Sequence, residues 1–208
     1  MRIVCISDTH SKHNEIEVPD GDVLVHAGDI TSRGELSTVN DFNNWIGKLP
    51  HKHKVVIAGN HDFCFEDELK DNAVEILNNC IYLQDSSCEI DGVKFYGTPW
   101  QPWFYDWAFN VKSEEEREGI WAKIPDDTDV LIVHGPPYMH GDEVMSDYDN
   151  VGCRKLLARI KELNIKLVVT GHIHESYGEY NIGDTKVVNA STCDFAYDPI
   201  NPPIVIDY

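Results

Sequence analysis

The chain has no surplus of basic residues, no apolar run approaching a membrane span, no C-x-x-C pair, no internal repeat and no low-complexity tract. Each absence removes a class of function. Lys and Arg number 17 against 36 Asp and Glu, a formal charge of -19. Such a surface repels nucleic-acid backbones and anionic membranes, and it lacks the basic stripe with which a nuclease grips a polymer. A bilayer crossing needs ~20 consecutive apolar residues, and a first strand starting at Arg2 leaves no room for a secretion signal. The expectation is a cytoplasmic protein with neither a membrane nor a nucleic-acid polymer as partner. Six cysteines (Cys5, Cys64, Cys80, Cys88, Cys153 and Cys193) are scattered without paired spacing, which reads as reduced thiols rather than a disulfide framework or a zinc site. At this length a fold buries roughly 70% of its unfolded surface and needs no staples, so residues 1–208 read as a single domain.

What the chain does contain is five short polar clusters, each placed where a hydrophobic run stops. They are Asp8-Thr9-His10, Gly28-Asp29, Gly59-Asn60-His61-Asp62, His134-Gly135 and Gly171-His172-Ile173-His174. The runs before them, Ile3 to Ile6, Val23 to Val25, Val55 to Ala58, Val130 to Val133 and Leu167 to Val169, read as buried strands. Open α/β sheets carry their chemistry in the crevice beyond the carboxyl ends of such strands. Five strand ends delivering Asp, His and Asn therefore describe one site assembled from the whole chain. The donors are oxygen and imidazole without thiolate, a set that suits Mn²⁺, Fe²⁺ or Fe³⁺, Zn²⁺ or Co²⁺. Two such cations would reverse the local potential, so the acidic surface does not exclude a small anionic substrate.

Between the clusters the pattern alternates. A helix is expected from Leu36 to Lys48, stopped by Pro50, and a weaker one from Leu69 to Leu77. Ser113 with Glu116 is a capping box opening a helix through Trp121, and Cys153 to Leu163 has one apolar face. Cys88 to Ile90 and Val93 to Tyr96 flank Asp91-Gly92, and Tyr177 to Ile182 and Lys186 to Val188 flank Gly183-Asp184; both read as antiparallel hairpins. Apolar strands between helices argue for parallel pairing covered on both sides, so the sheet structure is mixed. The stretch from Trp100 to Trp107 is too rich in Pro and aromatics for a helix or a solvated loop.

In an extended segment, residues i and i+2 project to one side. Asp8 and His10 are thus expected to grip one cation together, and His172 and His174 to face the same way. Asp29, at the end of a central strand, is placed to bridge two metals, and Asn60 offers a neutral oxygen. Gly28, Gly59 and Gly171 immediately precede ligands, where the backbone must approach the ions closely.

The order D-x-H, G-D, G-N-H-D, H-G and G-H-x-H resembles the calcineurin-like metallophosphoesterase superfamily. The strings Cys5 to Ser11, Val56 to His61, His134 to Pro137, Asn189 to Cys193 and Asn201 to Ile204 are similar to its MPPED branch, class III cyclic nucleotide phosphodiesterase-like proteins that act on phosphodiesters. The resemblance implies a four-layer αββα sandwich, two mixed β-sheets flanked by helices. It implies that Asp8, His10 and His174 hold one metal, that Asn60, His134 and His172 hold a second, and that Asp29 bridges them. It implies that His61 serves the leaving group. Some animal members of the branch have Gly in place of the first His of G-H-x-H; here His172 is intact, which favours two occupied sites. Ile30-Thr31-Ser32-Arg33-Gly34 is similar to the continuation of the protein Ser/Thr phosphatase motif, but Ser32 replaces its second Asp and argues against that class.

The expected function is a dinuclear metal-dependent phosphodiesterase, with Mn²⁺ favoured, hydrolysing small diesters such as 2′,3′- or 3′,5′-cyclic nucleotides by in-line attack of a metal-bound hydroxide. A phosphomonoesterase or protein phosphatase of the same fold, and a non-catalytic binding module, are the alternatives. His61 and Asp62 are the catalytic candidates beyond the metals, Asp62 either orienting His61 or beginning the next turn. Asn60, His61, Arg33 and His13 are the candidates for touching substrate. His26 reads as an interior histidine. Trp100, Trp103, Phe104 and Trp107 are able to stack on a base or to fill core.

Overall fold

The computed structural model describes residues 1–145 and 149–208. Its strands are β1 (Arg2–Ile6), β2 (Val23–His26), β3 (His53–Val56), β4 (Ile81–Tyr82), β5 (Ser86–Ile90), β6 (Val93–Thr98), β7 (Gln101–Pro102) and β8 (Asn110–Val111). They continue as β9 (Val130–Val133), β10 (Glu143–Val144), β11 (Asp149–Asn150), β12 (Leu167–Thr170), β13 (Gly178–Ile182), β14 (Thr185–Asn189) and β15 (Ile204–Asp207). The helices are α1 (Leu36–Lys48), α2 (Lys70–Ile76), α3 (Glu114–Trp121) and α4 (Arg154–Glu162).

Two large sheets form, in the orders β15-β1-β2-β3-β4 and β13-β14-β12-β9-β6-β5. In the first, β1 to β4 are parallel and β15 closes one edge antiparallel. In the second, β14, β12, β9 and β6 are parallel, and an antiparallel hairpin finishes each edge. Asp91 and Gly92 both have positive φ, 50° and 81°, as a two-residue hairpin turn requires.

Alternation along the strands explains the layers. Ile3, Cys5, Val23, Val25 and Val55 point between the sheets and meet Phe95, Val130, Ile132, Leu167 and Val169. Their neighbours Val4, Ile6, Leu24 and Val56 pack instead under Val39, Phe42 and Ile46 of α1. Leu131, Val133 and Val168 do the same under Trp121 of α3 and Leu156 and Ile160 of α4. Strands covered on both faces read as continuous apolar runs, and the result is the αββα sandwich. Phe42 is wholly buried, and truncating such a ring to Ala costs about 3–5 kcal/mol. The capping box before α3 forms, with Glu116 N donating to Ser113 Oγ at 3.0 Å and Ser113 N to Glu116 Oε2 at 3.1 Å. No helix among the described residues is long and apolar enough to cross a membrane.

The ends of β1, β2, β3, β9 and β12 open at one edge of the sandwich. A bridge between Ser7 and Ser191 joins the two sheets there, and Thr192 N donates to Ser7 O at 2.9 Å.

Candidate metal centre

The loops after β1 and β2 run side by side. Asp8 N donates to Gly28 O at 2.9 Å, and His10 N to Asp29 O at 3.0 Å. Asp8, His10, Asp29 and His172 have φ of 53°, 40°, 57° and 71°. A non-glycine residue in this left-handed region costs on the order of 1–3 kcal/mol and persists only where its surroundings over-determine it. Four of the seven expected ligands carry that strain. The Asp8–His10 segment is therefore not extended; left-handed turns, not strand alternation, bring its two side chains together. His172 and His174 also depart from expectation. They separate, His174 joining Asp8 and His10 while the His172 ring lies against His134 with centroids 5.1 Å apart.

Three groups of donor atoms converge, each within 4.8 Å: Asp8, His10 and His174; His10, Asp29 and His61; and Asp8, Asp29 and His134. His10 Nε2 lies 3.2 Å from His174 Nε2 and 3.7 Å from Asp29 Oδ2. His134 Nε2 lies 2.9 Å from Asn60 Oδ1 and 3.4 Å from Asp29 Oδ2. Asp29 stands at the centre. A layer behind the donors aims them. A carbonyl can only accept, so Nδ1–H of His134 donates to Ala27 O, that of His174 to Asp194 O and that of His61 to Ser32 O, each at 2.8 Å. In all three rings the Nδ1–H bond sets the tautomer and leaves Nε2 free on the side of the cluster, the usual role of groups behind a metal ligand. Asp8 accepts from His172 N at 3.0 Å and from Ser191 Oγ at 2.7 Å. The glycines fit the same crowding. A Cβ on Gly171 would run into the Asp8 carboxylate and the Ser7 hydroxyl, and one on Gly59 into the Asp29 carboxylate.

Charge is balanced within this cluster. Burial pushes the Asp8 and Asp29 carboxyls up, but His174 beside the first and His134 beside the second hold both well below the ordinary range. Burial pulls His134 and His174 down, and their carboxylates overcome it, raising each to about 9. Burial keeps His10 at about 4 and His172 at about 3. Without ions, two carboxylates are thus paired with two protonated imidazoles. Divalent cations would displace those protons, as metal binding to histidine does. Buried carboxylate, amide oxygen and imidazole converging to within hydrogen-bond distance of one another fit such ions. His10 Nδ1 is buried without a hydrogen-bond partner among the described residues.

The remaining candidates divide. Asp62 does not touch the His61 ring. Its buried carboxylate accepts from Ile30 N at 3.1 Å, Thr31 N and Thr31 Oγ1 at 2.8 Å, and Gly59 N at 2.9 Å. It ties the Asp29 loop to the Asn60 loop, a positioning role rather than an acid or base. His13 does not face substrate either. It is fully buried, with Nε2 2.9 Å from Asp41 Oδ2 and its ring against Phe42 and Trp45. His26 is interior as expected, accepting from Gly28 N at 3.2 Å through Nδ1. Arg33 is exposed at the rim, its guanidinium 5.1 Å from the Phe63 ring centre.

The aromatic stretch is not one thing. Trp100 is half-buried against the core, Nε1 donating to Asp85 at 3.1 Å. Trp103, Phe104 and Tyr105 are 49%, 54% and 67% exposed, so this part is a solvated loop after all. Trp103 and Phe104, with Pro136, Ile173 and His172, line a cleft of about 540 Å³ that reaches the metal centre. The sequence reading missed Ser191, Asp194 and Tyr197. The Tyr197 ring sits 4.7 Å from His10 and 5.2 Å from His174, on a residue with φ of 63°. The available signal was a sixth polar strand end, Asn189 to Asp194, following β14 at the same edge.

Residues 1–176 match the Calcineurin-like phosphoesterase family. The chain belongs to it. All seven expected ligands lie within the matched stretch, and members of the family are metal-dependent phosphoric ester hydrolases, as this protein is. The metallophosphoesterase is 44% identical over 229 residues to the human metallophosphoesterase domain-containing protein 1, covering 99% of this chain and 70% of that one. It is 42% identical over 224 residues to the UPF0046 protein C25E10.12 of Caenorhabditis elegans, covering 96% and 79%. The crystal structure of the protein TT1561 of Thermus thermophilus superposes with a TM-score of 0.61 at 14% identity, over 90% of this chain and 88% of that one. A second solved structure reaches a TM-score of 0.73 at 17% identity, over 100% and 98%. Likeness at that level speaks for the fold alone.

Proposed function

We propose that this metallophosphoesterase is a dinuclear phosphodiesterase acting on small diesters, cyclic nucleotides first among them, with Mn²⁺ the favoured ion. Asp8, His10 and His174 would hold one ion, Asn60, His134 and His172 the other, and Asp29 would lie between them. Bound divalent ions supply charge neutralisation at the phosphoryl oxygens and lower the pKa of water toward neutrality. The rest falls to the chain. His61 keeps Nδ1–H on the Ser32 carbonyl, so the proton it exchanges is carried at Nε2. Given to the departing oxygen, that proton is worth about 10²–10⁴-fold in rate.

The observation that carries the choice of ester is how little fixed positive charge surrounds the centre. Lys12 is engaged by Asp198 at 3.6 Å, which leaves Arg33 at the rim. A monoester dianion calls for more cationic groups than that, whereas a diester monoanion is served by two ions and one histidine. The cleft under Trp103 and Phe104 gives the ester's organic arm an apolar wall. The charge of -19 disfavours long nucleic acids and anionic membranes as partners.

Measuring kcat/KM of the Mn²⁺-loaded protein on 2′,3′- and 3′,5′-cyclic nucleotides, a nucleoside monophosphate and single-stranded DNA tests the proposal. A cyclic diester should be the best substrate, with a lean to 2′,3′ because its strained ring opens more easily. A monophosphate or polymer preferred tenfold would overturn it.

A further inference from the structure

The His61 ring is covered by an indole. Trp107 stacks on it with centroids 4.1 Å apart and planes 27° off parallel. The indole is itself held from several directions. Arg33 places its guanidinium 5.5 Å from the Trp107 centroid, and Phe63 lies 5.9 Å away. No ion pair engages the Arg33 side chain among the described residues. In so acidic a protein, a guanidinium laid on two aromatic rings rather than on a carboxylate indicates that cation–π attraction places it.

The backbone beneath Trp107 is tied to the site. Ala108 N donates to Asn60 O at 3.1 Å. Asn110 Nδ2 donates to Trp107 O at 2.9 Å and to Tyr105 O at 2.7 Å, while Gln101 Nε2 donates to Ala108 O at 2.7 Å. The indole therefore hangs from the residue that precedes His61 and from the two side chains that knit the aromatic loop. One ring is placed with reference to the other.

A single hydrogen bond from Nδ1 to Ser32 fixes the tautomer of His61 but leaves the ring able to turn about that bond. A stacked plane removes the freedom. We infer that Trp107 is a positioning residue that holds the plane of His61 so that Nε2 faces the departing oxygen, with Arg33 pinning the indole. The inference rests on the reading of His61 as proton donor. It also explains why Trp107 is not the wall on which a base stacks: His61 and Arg33 already lie against it.

The test uses the full chain, metal-loaded, as wild type, Trp107→Ala, Trp107→Phe and His61→Ala, with metal content measured for each. Turnover is compared on diesters whose leaving groups run from a nitrophenolate to a simple alkoxide. Trp107→Ala should lower kcat on the alkoxide diester on the order of 10²-fold, the cost of misplacing a reacting group by about an ångström. It should change the nitrophenyl diester and KM little and leave metal content intact, and Trp107→Phe should restore most of the loss. In the Zn²⁺-loaded protein the His61 ring protons should resonate upfield from the indole ring current and move downfield in Trp107→Ala. Equal losses on both diesters, a change confined to KM, or unmoved His61 resonances would overturn the inference. If His61→Ala shows leaving-group dependence and Trp107→Ala does not, the positioning role alone fails. If His61→Ala shows none, the proton-donor reading fails and the inference falls with it.

Discussion

The floor of the site and its aromatic rim occupy the same edge of the sandwich but are held by different means. Asp8, His10, Asp29, Asn60 and His134 are buried, and Asp8, Asp29 and His134 are each fixed by a backbone group behind them. Trp103, Phe104 and Tyr197 are between 42% and 54% exposed, on loops whose anchoring is mostly backbone to side chain. The floor tolerates strained φ values because hydrogen bonds between its loops hold the backbone in place; the rim is exposed and able to meet a ligand. The difference separates two kinds of expected defect. Changes to the floor should abolish turnover on every ester, and changes to the rim should depend on which ester is offered.

The largest expected effect follows from Asp29→Ala. Asp29 Oδ2 lies within 4.0 Å of Nε2 in His10, His61 and His134, so its loss touches both proposed ion positions at once. Turnover should fall beyond the roughly 10²–10⁴-fold of a lost general acid, on diester and monoester alike, with less than the wild-type metal content by elemental analysis. A variant that keeps its metals and loses only one substrate would erase the distinction between floor and rim.

Removing the ions is a gentler probe of the floor. In the metal-free chain His134 and His174 stand at about 9, raised from 6.5 by Asp29 and Asp8 against the effect of burial. A group whose pKa rises on folding contributes stability in full below its unfolded pKa and loses it as pH climbs through the folded one. Chelated protein should therefore melt at progressively lower temperature from pH 6.5 to pH 9, while Mn²⁺-loaded protein should not, as calorimetry of the two would show. A metal-free Tm that rises across that window contradicts the paired charges described for the floor.

The smallest effect sharpens the comparison from the other side. Trp103→Ala should weaken kcat/KM for a cyclic nucleotide by about 1–3 kcal/mol, the worth of one base stacked on an aromatic ring. It should leave a small alkyl diester and the metal content unchanged. Equal loss on both esters would place Trp103 among the structural residues.

The same contrast explains what was legible in the sequence. The strands stood out because both of their faces are buried, and the floor because coordination demands particular residue types at strand ends. Backbone shape was not legible. Extended geometry was expected at Asp8–His10, whereas left-handed turns are formed, since the strain is set by hydrogen bonds between loops far apart in the chain. His13 and Asp62 looked like site residues by position, but whether a polar side chain faces substrate or a neighbouring loop depends on packing partners such as Phe42 and Thr31. The aromatic stretch divided three ways for the same reason. Nothing local distinguishes Trp100 on Asp85, Trp107 on His61 and Trp103 in solvent.

The central claim is a two-ion centre assembled from five strand ends of two sheets, and anomalous diffraction from crystals saturated with Mn²⁺ tests it most directly. Two ions per chain are expected, roughly 3.5–4 Å apart, one against Asp8, His10 and His174 and the other against Asn60, His134 and His172, with Asp29 touching both. A single ion, no ion, or an ion ligated by His61 would contradict the account.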